Sequence, residues 1–175
     1  MLFTATHLPG AFLLEIEKHE DDRGFFARTF CVHEFETHGL NPRVVQCSTA
    51  FNLRRGTLRG MHFQAPPMSE VKLVRCVRGA IHDVIVDLRL DSPTYKSHLA
   101  VELTADNRRA VYIPQEFAHG FQTLADETEV LYHISEFYTP GSGRGFRYDD
   151  PAFGIHWPLP VSVISAQDLH WQAFS

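Results

Sequence analysis

The sequence predicts an all-β fold, a double-sheet jelly roll with one or two short peripheral helices. Three observations lead there: turn signals recur at short intervals, the runs between them have strand length and strand composition, and helical periodicity is scarce. The turns fall at Asp21-Asp22-Arg23-Gly24, Arg55-Gly56, Pro66-Pro67, Arg78-Gly79, Asp91-Ser92-Pro93, Ala105-Asp106-Asn107 and Pro140-Gly141-Ser142-Gly143. In chain order, the first regular element is the one good helix candidate, Val32 to His38, closed by Gly39 where a left-handed cap belongs. Arg59-Gly60-Met61-His62-Phe63-Gln64 then leaves a turn and enters a strand. The runs Val71 to Val77, Ile81 to Leu88, Leu99 to Leu103, Ala110 to Ile113, Glu129 to Ile134 and Val161 to Ile164 are rich in branched and aromatic residues, several with period-two alternation. Phe25, Phe26, Phe117 and Phe121 are expected to fill sheet faces. A single domain over residues 1–175 is expected, since a chain of this size buries enough surface for a real core.

Sixteen basic and 21 acidic side chains give a net charge of −5, which supplies no field for holding a nucleic acid polymer, although a small anion in a local basic pocket remains compatible. An apolar share of 44% argues against disorder. No apolar run approaches a membrane span, and the first ten residues do not read as a secretory leader. The three cysteines, Cys31, Cys47 and Cys76, are odd in number and lack metal-type spacing. A reducing, cytoplasmic setting is therefore expected.

Alternation along a strand puts His62 and Gln64 on one face and Met61 and Phe63 on the other. By the same parity Lys72, Val74 and Cys76 share a face, and so do Val130, Tyr132 and Ile134. If these faces look inward, one cavity holds an imidazole, an ammonium and a phenol, groups that are costly to enclose without partners. Parity alone does not fix that direction. Singly, His62 reads as a surface or hydrogen-bonded histidine, Lys72 as an edge-strand lysine, and Tyr132 as a core ring with its hydroxyl at the rim. A metal site would draw on His62, Gln64, Glu70 and His119. Against it, an amide stands at Gln64 where a second imidazole belongs, and the Lys72 cation lies nearby.

The motifs Asp22-Arg23-Gly24-Phe25-Phe26, Leu58-Arg59-Gly60-Met61-His62-Phe63-Gln64, Lys72-Leu73-Val74-Arg75, Asp83 to Arg89 and Ser92-Pro93-Thr94 follow one family pattern. Ile113-Pro114, Phe117-Ala118-His119-Gly120-Phe121, Tyr132, Asp149-Asp150-Pro151 and Ile155-His156-Trp157-Pro158 continue it in the same order and with similar spacing. Over nearly its whole length the chain resembles the dTDP-4-dehydrorhamnose 3,5-epimerase family. The resemblance implies a cupin-type jelly roll that uses no metal and no organic cofactor, and a homodimer whose subunits exchange strands. It also implies a nucleoside-diphosphate sugar as substrate, a 4-keto-6-deoxyhexose epimerised beside its ketone.

That reaction needs two groups, because a proton leaves one face of a carbon next to a carbonyl and another returns to the opposite face. The resemblance implies His62 as general base, Asp168 as the carboxylate that orients it, Lys72 as the cation beside the ketone oxygen and Tyr132 as the opposing acid. An imidazole is suited to the first task by its near-neutral pKa. Without the resemblance, Asp168 reads as a turn or helix-cap residue. Arg23 and Arg59 match diphosphate contacts, for which the guanidinium fork is suited. His119 matches a position beside the sugar, and Gln46 and Tyr138 match positions around the nucleotide.

The departures cluster among the carrier contacts. Arg28 stands where a glutamate is common, Gln46-Cys47-Ser48 where Gln-Asp-Asn is usual, Gly143 in place of a glutamate and Gln167 in place of a lysine. A cation at position 28 cannot accept a base N–H as a carboxylate does, but it can pair with phosphate. The sequence therefore predicts a retained reaction with Ser48 and Arg28 in an altered nucleotide site. A binding module without catalysis and a metal-dependent cupin enzyme are the alternatives.

Overall fold

In the computed structural model, which describes residues 1–174, the chain forms 14 strands and two short helices. Ser175, the last residue of the expected domain, lies outside the described residues. The elements are β1 (Leu2–Ala5), β2 (Phe12–Glu15), β3 (His19–Asp21), β4 (Gly24–Phe26), α1 (Val32–Thr37), β5 (Gln46–Asn52), β6 (Thr57–Gln64), β7 (Lys72–Arg78), β8 (Ala80–Asp87) and β9 (His98–Thr104). They continue through β10 (Ala110–Ile113), β11 (Phe117–Thr123), β12 (Thr128–Ile134), β13 (Gly143–Gly145), β14 (Val163–Ile164) and α2 (Ala166–Leu169). One sheet has the order β1-β2-β10-β7-β12-β5, and the second has the order β13-β6-β11-β8-β9 with β14 alongside β6. The all-β expectation holds, and the strand-like runs read from the sequence fall on β7, β8, β9, β10, β12 and β14. The last of these is shorter than expected, Val163–Ile164 rather than Val161 to Ile164.

Alternation sorts the side chains into three layers. Val74, Cys76, Ile81, Ile85, Leu103, Val111, Ile113, Phe117, Phe121 and Val130 fill the central layer. Leu14, Leu73, Ala110 and Tyr112 face outward from the first sheet and are covered by Phe35 of α1. That helix ends as expected: Gly39 has φ +69°, its N–H donates to Glu36 O at 2.9 Å, and Leu40 N–H donates to Phe35 O at 2.9 Å. Met61, Val84, Val86 and Ala118 face outward from the second sheet and are covered by Phe146 and Phe153. Met61 and His62 therefore point to opposite sides of β6, and the His62 face looks inward.

Phe117 and Phe121 are buried as expected, but Phe25 and Phe26 are 41% and 73% exposed, so they do not fill a sheet face. The reason is local. β3 and β4 pair only with each other and join neither sheet. The Phe25 ring is instead flanked by Lys18 and Arg108, whose cationic centres lie 5.0 and 4.8 Å from its centroid.

Two glycines let strands come close at the site. A Cβ on Gly60, which has φ +136°, would lie 2.5 Å from Gly120 Cα, so only glycine permits β6 and β11 to pair here. A Cβ on Gly145 would meet the Trp171 indole at 2.5 Å, so this glycine lets the carboxy-terminal segment lie against β13.

The Asp87-to-Thr94 motif forms a buried knot at the end of β8. Arg89 donates from Nε to Asp87 Oδ1 at 2.9 Å and from Nη2 to Oδ2 at 2.7 Å. Ser92 and Thr94 hydroxyls donate to the same Oδ2 at 2.6 and 2.7 Å. Burial alone would raise the Asp87 carboxyl, but these donors outweigh it and bring the group down to about 2. A folded-state value below the unfolded one means that the stabilisation is present above the unfolded pKa and is lost as pH falls through the folded one. Such a shift is worth about 2 kcal/mol. In urea unfolding from about pH 6 to about pH 2, the wild type is expected to lose about 2 kcal/mol more than Asp87→Asn. Equal losses would contradict the knot's role.

Among the described residues, no helix is long and apolar enough to cross a membrane.

Candidate active site

The inward faces of β6 and β11 in one sheet, and of β7, β12 and β5 in the other, diverge into two adjoining hollows of 310 and 360 Å³. His62, Lys72 and Ile134 line both and mark where they meet. The first hollow adds Ser48, Arg59, His119, Phe121 and Tyr132. The second adds Gln46, Glu70, Tyr138, Gly143, Gln167 and Trp171.

His62 and His119 are directly opposite each other on the paired strands β6 and β11. Lys72 and Tyr132 come from the facing sheet, where Lys72 pairs with Ile134 and Tyr132 with Val74, so both project inward. The imidazole and the phenol thus face one cavity from opposite sheets, with the ammonium on the phenol's side.

Asp168 reaches His62 from the carboxy-terminal segment. Ser165 caps the short helix α2, its Oγ accepting from Asp168 N–H at 3.0 Å, and this fixes the turn that carries the carboxylate. Asp168 Oδ1 then lies 2.5 Å from His62 Nε2, and Oδ2 accepts from Gly60 N–H at 3.4 Å. Burial raises the Asp168 carboxyl, but the His62 hydrogen bond and charge, helped by Gly60 and Ser165, bring the net shift below its ordinary value. The dyad is asymmetric in access: the imidazole side chain is 42% exposed and the carboxylate 5%. The Trp171 ring stands edge-on to the imidazole, with centroids 6.5 Å apart.

A second histidine–aspartate pair lies deeper, with His119 Nε2 2.7 Å from Asp83 Oδ1 and both side chains buried. The His119 ring meets Tyr132 edge-on at 5.9 Å. Burial, reinforced by the negative charge of Asp83 and opposed by Arg59, holds the Tyr132 phenol above its ordinary value. The phenol is therefore protonated throughout the physiological range and suited to donate a proton.

Arg59 lies at the rim, its Nε donating to Asn52 Oδ1 at 2.7 Å. Gln46 Oε1 accepts from Tyr138 N–H at 2.8 Å, tying β5 to the loop that presents the exposed Tyr138 ring. Two expected contacts are not gathered here within one chain. The Arg23 side chain is 90% exposed at the tip of the β3–β4 hairpin and pairs with Asp21. Arg28 is 3.4 Å from Glu34 and lines a separate hollow with Met1, Glu17 and His19. Arg23 belongs to a hairpin that pairs with neither sheet, and Arg28 follows it on the path to α1.

Each of the four candidate metal ligands has a partner within the chain: His62 has Asp168, His119 has Asp83, Glu70 has Lys72, and Gln64 has backbone groups and the Ser142 hydroxyl. Among the described residues, no group of three or more His, Cys, Asp or Glu is arranged to hold a metal ion.

Sequence reasoning gave no role to Asp83, although its signal was present: it interrupts the inward apolar phase Ile81, Ile85. Glu70 shares the phase of Lys72 but was weighed only as a metal ligand. Nothing in the local pattern marked Trp171, which is brought to His62 by the path of the tail.

The family model described as dTDP-4-dehydrorhamnose 3,5-epimerase matches residues 5–175. A dTDP-4-dehydrorhamnose 3,5-epimerase of Methanothermobacter thermautotrophicus is 44% identical over 173 residues, covering 97% of this chain and 92% of that protein. A dTDP-4-dehydrorhamnose 3-epimerase of Streptomyces niveus is 36% identical over 92% of this chain and 78% of that protein. A crystal structure of the 3,5-epimerase from Bacillus anthracis with TDP and PPi bound superposes with TM-score 0.95 at 38% identity, covering 99% of each chain. Identity at this level, sustained from end to end in both sequence and structure, places the chain in the dTDP-4-dehydrorhamnose 3,5-epimerase family and makes it an isomerase.

Proposed function

We propose that the chain epimerises a nucleoside-diphosphate 4-keto-6-deoxyhexose at C3, C5 or both, with His62 and Tyr132 working on opposite faces of the sugar. The observation that carries this reading is the His62–Asp168 dyad facing Tyr132 across a cavity, with Lys72 at the junction.

With Nε2–H donating to Asp168, the lone pair of His62 available to a substrate is on Nδ1. It takes the proton from the carbon beside the ketone. The C–H electron pair moves to form the enolate, whose negative charge rests on the ketone oxygen and is met by the Lys72 ammonium. The Tyr132 phenol gives its proton to the opposite face, the enolate collapses to the ketone, and solvent restores the phenol and the neutral imidazole. Asp168 holds the tautomer and stabilises the imidazolium while it exists.

His119 lies beside the sugar, held by Asp83. Arg59 and Ser48 take the diphosphate end, while Gln46 and Tyr138 surround the nucleoside. Arg23 and Arg28 join the carrier contacts from the other subunit of a homodimer with exchanged strands. The detached hairpin and the exposed Arg23 support that arrangement, and three free cysteines support a cytoplasmic setting. The relatives named for both the 3,5- and the 3-epimerase reaction leave one fold serving either outcome.

The test is incubation with dTDP-linked 4-keto-6-deoxyglucose in D₂O, followed by NMR. Deuterium should enter at C3, C5 or both with inversion. Binding without exchange, for this and other nucleoside diphosphate carriers, would contradict the reading. Arg23→Ala should raise KM while the protein remains a dimer by light scattering, whereas a monomer with unchanged wild-type turnover would remove the exchanged-strand part.

A further inference from the structure

Glu70 and Lys72 lie two residues apart on one face of the segment entering β7, with Val71 turned the other way into the layer beneath α1. Glu70 Oε1 is 2.9 Å from Lys72 Nζ, and the two side chains are 6% and 14% exposed. Glu70 Oε2 is buried without a hydrogen-bond partner among the described residues. The segment is held in register by Ser135, whose hydroxyl accepts from Val71 N–H at 2.7 Å and whose N–H donates to Val71 O at 3.0 Å.

Enclosing a carboxylate with an unused oxygen is costly, and a well-packed apolar pair serves stability as well as a buried ion pair does. The pair therefore asks for another reason, and the position of the ammonium supplies one. Lys72 lines both hollows at their junction and reaches the His62 carbonyl at 3.5 Å. On its flexible four-carbon stem an unanchored ammonium would swing between the two spaces, or toward any anion in either.

We propose that Glu70 is a positioning residue for the epimerisation: it pins the Lys72 ammonium at the fork and balances its charge at rest. The cation is then held for the oxygen on which negative charge develops rather than for the phosphates of the carrier. This rests on the reading of Lys72 as the partner of the ketone oxygen. A fixed dipole aimed at developing charge acts mainly on the transition state, so its loss falls on kcat more than on KM.

The test is a double-mutant cycle of wild type, Glu70→Gln, Lys72→Met and the double variant, assayed for kcat, KM and thermal unfolding. Glu70→Gln keeps the shape and removes the charge. It should lower kcat by about 10- to 100-fold, as misplacement of a reacting group does, with KM changed by less than about threefold. Added to Lys72→Met it should cost almost nothing more, and Glu70→Asp should recover part of the loss. Unchanged kcat in Glu70→Gln, with or without a lower melting temperature, overturns the proposal, as do losses that multiply in the double variant. An inactive wild type overturns the underlying epimerase reading and this proposal with it, whereas an active wild type with uncoupled variants overturns this proposal alone.

Discussion

His62→Ala is expected to lower turnover by about 10²–10⁴-fold, the usual worth of a positioned general base, and to abolish deuterium entry into the sugar to the same extent. Both readouts fall together because proton removal precedes every later step. The side chain is partly open on the cavity side and carries no apolar layer of its own, so the variant should fold and keep its affinity for the nucleotide. Asp168→Asn should reproduce much of the loss by a different route. An amide at this position can present its N–H₂ to the imidazole and favour the tautomer whose proton lies on the wrong nitrogen. Turnover within threefold of wild type in His62→Ala would assign the base elsewhere.

Tyr132→Phe is expected to separate the two halves of the reaction. Removing one hydroxyl from a half-buried ring leaves the packing against the central layer intact, so the melting temperature should change little. Inversion should fall by about 10²–10⁴-fold, the range for a lost general acid. Exchange should fall much less, because His62 still removes the proton and can return a deuteron to the face it came from. Substrate recovered from D₂O should therefore carry deuterium with its configuration retained. The raised phenol adds a pH expectation: wild-type inversion should show no alkaline loss from this group near neutrality, since burial and Asp83 keep it protonated there. Equal loss of exchange and inversion would place Tyr132 before the first proton transfer, contrary to its assigned role.

The layers of the fold were legible because period-two alternation sorts the residues of β6, β7 and β12 onto opposite faces. Lys72 with Val74 and Cys76, and Val130 with Tyr132, turned inward together as parity required. Direction was the missing element, since a strand has two faces and only the covering groups decide between them. Here the cover over Met61 is Phe146 and Phe153, from segments about 90 residues further on. The dyad was legible only by resemblance, because Asp168 is more than 100 residues from His62 and its turn looks like any capped turn. Phe25 and Phe26 misled because composition cannot tell a strand within a sheet from a two-stranded hairpin beside it. Asp83 shows the converse case: a charge in an apolar phase was visible in the sequence, and its meaning appeared only when β11 placed His119 beside it.

Acid and base are expected to meet the same carbon from opposite sides, with the ketone oxygen on the ammonium. A crystal structure of His62→Asn with a nucleoside-diphosphate 4-keto-6-deoxyhexose would show whether they do. The carbon beside the ketone should lie about 3–3.5 Å from the Tyr132 hydroxyl, with residue 62 on the other face of the ring and the ketone oxygen within hydrogen-bond reach of Lys72 Nζ. A sugar with both residues on one face, or with its ketone turned away from Lys72, would contradict it.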